Sequence, residues 1–191
     1  MGPALTKIAV AFLDILQTVV LAAAFAMFIY LFVLQPHQVK GQSMENTFHD
    51  GEYVLTNKLS YRFGEPKHGD VVIIKAPPKE WCAERNCEYI KRIIGMGGDR
   101  VLLKEGEVYL NNQLIDDSFT KDSTTSGGEY LREGVEVTIS DGQFLVMGDN
   151  RLHSRDGRNF EPVKKSLIIG KVWVRYFPFN RSGLIPEQKL Y

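Results

Sequence analysis

Residues 15–34 carry no charged side chain, and this run limits what the rest of the chain can be. Its 20 residues have Gln17 and Thr18 near the start. Coiled as a helix they reach about 30 Å, the thickness of a bilayer's hydrocarbon core. A core helix of a globular domain keeps a polar face, and this run has none over most of its length. The competing reading is a cleavable leader. Such a leader usually carries only about 7–15 apolar residues, with small residues beyond them. Here Ala24-Phe25-Ala26 lies in mid-run, and a cut near Val39-Lys40-Gly41 would fall beside Ser43. Residues 1–35 are therefore expected to be a retained membrane anchor with one transmembrane helix. Lys7 precedes the run and Lys40 follows it, so loop charge barely chooses an orientation. The very short leader favours a cytoplasmic N-terminus.

Beyond Pro36 the pattern changes to short β-prone runs divided by glycine, proline and asparagine. Residues 53–56, 71–74, 89–94, 100–104, 107–110, 135–139, 144–147 and 168–176 are strand candidates. Glu105-Gly106, Asn111-Asn112 and Asp141-Gly142 offer tight turns between them. No run outside the anchor keeps a helical period, so the expected fold is mainly β: one transmembrane helix, then an all-β domain over residues 36–191. Residues 121–128, rich in serine, threonine and glycine, read as a flexible excursion within that domain.

The chain has 23 basic and 23 acidic residues, which excludes the electrostatic footprint of a nucleic-acid binder. Two cysteines without clustered histidines make a poor zinc site, and no phosphate loop or cofactor fingerprint is present, so no metal or cofactor is expected. The chemistry concentrates in three places. In the run Tyr89-Ile90-Lys91-Arg92-Ile93-Ile94 the two cations point to opposite faces of a strand, so one of them faces inward. A lysine held there either finds an anion or loses its proton, and a neutral lysine is a competent general base. A solvated edge lysine is the plainer alternative. The other places are residues 39–48, containing Gly41, Ser43 and Met44, and residues 148–158, dense in turn formers and polar side chains after the apolar run 144–147.

These segments, taken in order, resemble the type I signal peptidases, membrane-bound serine proteases that remove secretory signal peptides. The resemblance rests on the anchor, Ser43-Met44, Gly69-Asp70-Val71-Val72, Tyr89 through Gly95 with Asp99, and Gly148-Asp149-Asn150-Arg151 with Ser154, Asp156 and Arg158. The stretch from Val172-Trp173 to Phe177-Pro178-Phe179 also looks like the family's end. Asn46 stands where the family usually has proline, and Gly157 where serine is common.

The resemblance implies an endopeptidase with a signal-peptidase-like antiparallel sheet core, cutting after small residues at the first and third positions before the scissile bond. It makes Ser43 the nucleophile and Lys91 the base, with Ser154 orienting Lys91 by a hydrogen bond to its amine. Arg92, Asp149, Asp156 and Arg158 become structural residues near the site. Asp149 and Asp156 are expected not to touch Lys91, because a carboxylate would restore the ammonium. The oxyanion would be met by the Ser43 N–H; Gly41 stands where many relatives carry a second hydroxyl donor, and its backbone N–H, another backbone donor or a water is expected to substitute. Val39, Met44, Phe48, Tyr89 and Ile90 match the substrate-pocket positions. Of the four histidines, His37, His49, His68 and His153, only His153 lies in such a segment, and it is expected to be peripheral.

The implied partners are signal peptides of secretory preproteins, the lipid bilayer and the Sec-type export machinery. The implied location is the cell membrane, single-pass, with the catalytic domain on the outer face. In that oxidising setting Cys82 and Cys87 are expected to form a disulfide. Trp173, Tyr176, Phe177 and Phe179 read either as core or as an aromatic rim at the outer leaflet. Two other classes compete: a membrane-tethered, non-catalytic peptide-binding relative, and a self-cleaving repressor-type protease. The second would carry a DNA-binding domain in place of the anchor.

Overall fold

The computed structural model describes residues 2–78, 80 and 87–191. Helix α1, Pro3–Phe32, is 30 residues long, or about 45 Å, and so starts well before the uncharged run. Its side chains from Ile8 to Phe32 are largely exposed, so the helix stands off the rest of the protein. It is long and apolar enough to cross a membrane. Proline cannot continue a helix, and Pro36 forces extended backbone on the residue before it; the chain accordingly enters strand β1, Leu34–Gln38, just after the helix ends. The last carbonyls of α1 are met by Lys58, whose N–H donates to Val33 O at 2.9 Å and whose ammonium donates to Leu31 O at 3.2 Å.

The remaining strands are β2 (Tyr53–Asn57), β3 (Val71–Lys75), β4 (Glu88–Met96), β5 (Arg100–Lys104), β6 (Glu107–Leu110), β7 (Gln113–Leu114), β8 (Val137–Thr138), β9 (Gln143–Met147), β10 (Val163–Lys164), β11 (Ile168–Phe177) and β12 (Gly183–Leu184). A one-turn helix, Ser60–Phe63, and three 3₁₀ turns are the only helical pieces outside α1 among the described residues. Every strand pairing is antiparallel. The large sheet runs β1-β2-β11-β3-β4-β9-β10, with β12 on β11, and a small sheet runs β7-β6-β5-β8. The small sheet is built by two-residue turns in which both residues have positive φ, Glu105-Gly106 and Asn111-Asn112, as the sequence anticipates.

Residues 71–74 of β3 and 90–95 of β4 are buried without interruption because both faces of the large sheet are covered. Val71 and Ile73 join Val39, Met44, Phe48, Val54, Ile90 and Val172 on one side. Val72 and Ile74 join Ile93, Val146 and Phe160 on the other, as strand alternation requires. A third cluster ties Ile94, Leu145 and Met147 to Val101, Leu103, Val108 and Leu110 of the small sheet.

Two sequence expectations need correction. The strand expected over 135–139 shrinks to Val137–Thr138, which pairs with Arg100 and Val101 of β5. Residues 121–128 are pinned rather than loose. The Thr125 N–H donates to Gly106 O, while Thr125 Oγ1 and Ser126 O accept from Arg151 and Arg158. Trp173, Phe177 and Phe179 are exposed, so they belong to the surface and not to the core.

Candidate active site

The segment after β1 turns through Gly41 at φ +84°, where a side chain would be strained, and brings Ser43 back over the sheet. Strand β4 carries Lys91 beside it. Lys91 Nζ and Ser43 Oγ are hydrogen-bonded at 2.6 Å, although 48 positions separate them in the chain. Lys91 is 3% exposed, with the Tyr89 ring centroid 5.7 Å from Nζ. That burial lowers its amine from the ordinary 10.5 to about 8, against the weaker opposing pull of Asp156 and Asp149. Neither carboxylate touches the amine; each is held by its own arginine.

Arg92, on the opposite face of β4, is also buried, so both cations of the strand face inward rather than one. It forms a two-pronged pair with Asp149, Nε to Oδ1 at 2.9 Å and Nη2 to Oδ2 at 2.6 Å. Its Nη1 donates to Gly69 O at 2.8 Å, and its guanidinium lies 4.4 Å from the Phe119 ring centroid. The hydroxyl of Thr47 donates to the same Asp149, which ties the segment after Ser43 to this pair. Asp156 and Arg158 form a second buried pair, Nε to Oδ1 at 2.8 Å. Arg158 then fixes the loop by donating to Arg151 O and Ser154 O, and Asp156 accepts from the Gly148 N–H. Its carboxyl is held below the ordinary value: burial opposes ionisation, but the Arg158 bonds and charge outweigh it.

That loop grips the Ser43 segment directly. The Asn150 N–H donates to Ser43 O at 3.1 Å and its side-chain amide to Gln42 O at 3.0 Å. Gly148 packs so tightly here that a Cβ would collide with Ser43 O and Ser154 Oγ. Arg151 is fully buried and bonded to Asp117, Thr125 and Gly148 O.

Several expected roles change. Ser154 Oγ is buried beside Gly148 but makes no hydrogen bond, so the orienting bond to Lys91 is not formed; the Lys91 amine is turned to Ser43 instead. The Gly41 N–H donates to Asp50 Oδ1 at 2.6 Å, which removes it as an oxyanion donor. Asn46 sits at φ +93°, a conformation closed to proline, and its amide donates to Phe119 O and Thr120 O. Cys87 is disulfide-bonded; Cys82, its expected partner, lies outside the described residues. His153 is exposed, and its Nδ1 lies 3.2 Å from Asn150 Oδ1. Thr47, Asp50 and Asn150 act at the site although the sequence assigned them nothing. Thr47 and Asn150 lie inside segments that the sequence singles out, whereas Asp50 lies just outside them.

Ser43 and Lys91 open onto a cleft of about 630 Å³. Gln35 through Lys40 of the β1 segment form one wall, and Cys87 through Lys91 form the other. Val39, Tyr89 and Ile90 line it as expected; Met44 and Phe48 do not, being buried in the core behind Val39. Both walls are strand edges. Among the described residues strand β1 pairs only with β2, and residues 88–91 of β4 pair only with β3, because β9 joins β4 from Arg92 onward. Among the described residues no cluster of potential metal ligands is present.

Residues 12–177 match the family described as signal peptidase, peptidase S26. The chain is 33% identical over 169 residues to signal peptidase I of Bacillus licheniformis, covering 86% of this chain and 88% of that one. It is 36% identical over 159 residues to signal peptidase I of Bacillus caldolyticus, covering 79% and 84%. It is 31% identical over 175 residues to a probable signal peptidase I-2 of Synechocystis, covering 92% and 78%.

Proposed function

The chain belongs to the peptidase S26 family of signal peptidases, and on that premise we propose that it is a signal peptidase I that cuts signal peptides from preproteins by a Ser43–Lys91 mechanism. The observation that carries the mechanism is the buried Lys91 amine, 2.6 Å from Ser43 Oγ at the floor of a cleft between two strand edges. A serine hydroxyl is a weak nucleophile until a base takes its proton. With an amine near 8, an appreciable fraction of Lys91 is neutral at pH 7 and accepts that proton. Ser43 Oγ then bonds to the scissile carbonyl carbon, and the oxyanion meets the Ser43 N–H. Lys91 returns the proton to the departing amine, and water, activated by the same lysine, releases the acyl group.

An extended peptide suits a cleft walled by two free strand edges, since it can pair its main chain with them. Val39, Tyr89 and Ile90 leave room for small side chains near Ser43 and exclude large ones, consistent with small residues at the first and third positions before the cut. The two arginine–carboxylate pairs hold the Ser43 loop in register, and each arginine keeps its carboxylate from bonding the Lys91 amine. Nothing favours a non-catalytic peptide binder. In this reading residues 1–35 anchor the enzyme in the cell membrane with the N-terminus cytoplasmic, and residues 36–191 work on the outer face, downstream of Sec-type export. Protease added from the outer side should then reach residues 36–191 in intact cells; protection would refute the sidedness.

The test of the mechanism is cleavage of a preprotein with alanine at the first and third positions before the cut. Ser43→Ala, Lys91→Ala and the double variant should all fall to the same background, because groups acting as one unit are not additive. Wild-type kcat/KM should rise with pH along one ionisation centred near 8, the value burial imposes on Lys91. Substantial turnover in either single variant would refute the pairing.

A further inference from the structure

Besides Ser43 and Lys91, the cleft holds a second polar pair that hydrolysis does not use. His37 comes from β1 and Glu88 from β4, with three strands between them in the sheet, yet His37 Nε2 lies 3.0 Å from Glu88 Oε2. The pair therefore bridges the gap between the two strand edges, where a bound peptide would have to pass. The His37 side chain is 10% exposed, and its Nδ1 is 2.9 Å from Oγ1 of the buried Thr56. Its Nε2 is buried and faces the Glu88 carboxylate. Burial, assisted by Lys58, lowers the imidazole below its ordinary 6.5 despite the nearby Glu88. With its imidazole lowered, His37 does not offer the Glu88 carboxylate a full counter-charge. Among the described residues lining the cleft Glu88 is the one carboxylate, with Lys40 and Lys91 nearer Ser43.

Its depth in the cleft follows from the strands. Glu88 stands three residues before Lys91, about 10 Å along β4. Strand β1 runs from the end of α1 towards Ser43, so a peptide emerging from the bilayer beside α1 passes His37 and Glu88 before it reaches the nucleophile. We infer that Glu88, with His37 beside it, forms a subsite that selects a basic side chain and rejects an acidic one at a single substrate position, four to six residues before the cut. This rests on the peptidase reading above and adds to it a determinant of which preproteins are cut well.

The test uses the full-length enzyme in detergent and a set of peptides with alanine at the first and third positions before the cut. Each position from the fourth to the seventh carries lysine or glutamate in turn, and the lysine-to-glutamate ratio of kcat/KM is measured for wild type, Glu88→Gln and Glu88→Lys. In wild type one position from the fourth to the sixth should show a ratio of about five- to tenfold, the size expected of a half-exposed charge contact. Glu88→Gln should bring that ratio close to one and Glu88→Lys should invert it. The ratio is internal to each variant, so a change in overall activity does not disturb it. Cleavage with ratios indifferent to residue 88 would overturn this inference alone. A wild type that cuts none of the peptides would overturn the peptidase reading and this one with it.

Discussion

Burying a lysine to make a base should destabilise the fold by an amount that changes with pH, and Lys91→Met isolates it. Unfolded, the amine titrates near the ordinary 10.5; folded, it titrates near 8. Each tenfold loss of proton affinity is worth about 1.4 kcal/mol, so holding the ammonium in the folded protein costs about 3 kcal/mol. The sign follows from proton counts. Below pH 8 both states are protonated and the whole penalty is present. Between 8 and 10.5 the unfolded chain holds more protons, so wild-type stability rises with pH. Above 10.5 both are neutral and the penalty is gone. Methionine keeps the length without the charge, and it forfeits the bond to Ser43, worth about 1 kcal/mol. Lys91→Met should therefore be more stable than wild type by about 2 kcal/mol at pH 7, and the advantage should shrink by about 3 kcal/mol by pH 10.5. Urea unfolding of the full-length protein in detergent, followed by tryptophan fluorescence from pH 6 to 11, measures it. Differences in packing do not vary with pH, so the slope is the decisive reading. A stability difference that is flat between pH 7 and 10.5 would refute a depressed Lys91.

Two further perturbations address the frame around the dyad. Asp149→Asn leaves the buried Arg92 without its counter-charge and should cost about 3–5 kcal/mol in urea unfolding, whereas Arg92→Met with Asp149→Leu should cost much less. An equal loss in both would show that the charges are not what matters there. Asn46→Pro, which restores the residue common in the family, should lower stability by about 2 kcal/mol or more and reduce turnover, because φ +93° is closed to proline; Asn46→Gly should cost less than about 1 kcal/mol. Unchanged turnover and melting in Asn46→Pro would mean that the turn adopts another conformation.

What the sequence determined by itself is whatever depends on neighbours along the chain. The long apolar helix was legible because length and apolarity are local, and Pro36 marked the change to strands beyond it. The two hairpins of the small sheet were legible because Glu105-Gly106 and Asn111-Asn112 suit positive φ. Ser43 and Lys91 were legible through the spaced motifs of a family, and through a cation set in an apolar strand. Only the tertiary structure decided the rest. It set how many of the Lys91-Arg92 pair are buried, which arginine neutralises which aspartate, and that Ser154 leaves the lysine amine alone. It also spent the Gly41 N–H on Asp50 and joined β1 to β4 through His37 and Glu88. The physical reason is that a turn's φ or a helix's span is a property of consecutive residues. Desolvation and charge pairing instead depend on what the fold lays over a side chain, and Ser43 on one side and Asp149 to Arg158 on the other come to Lys91 from distant parts of the chain.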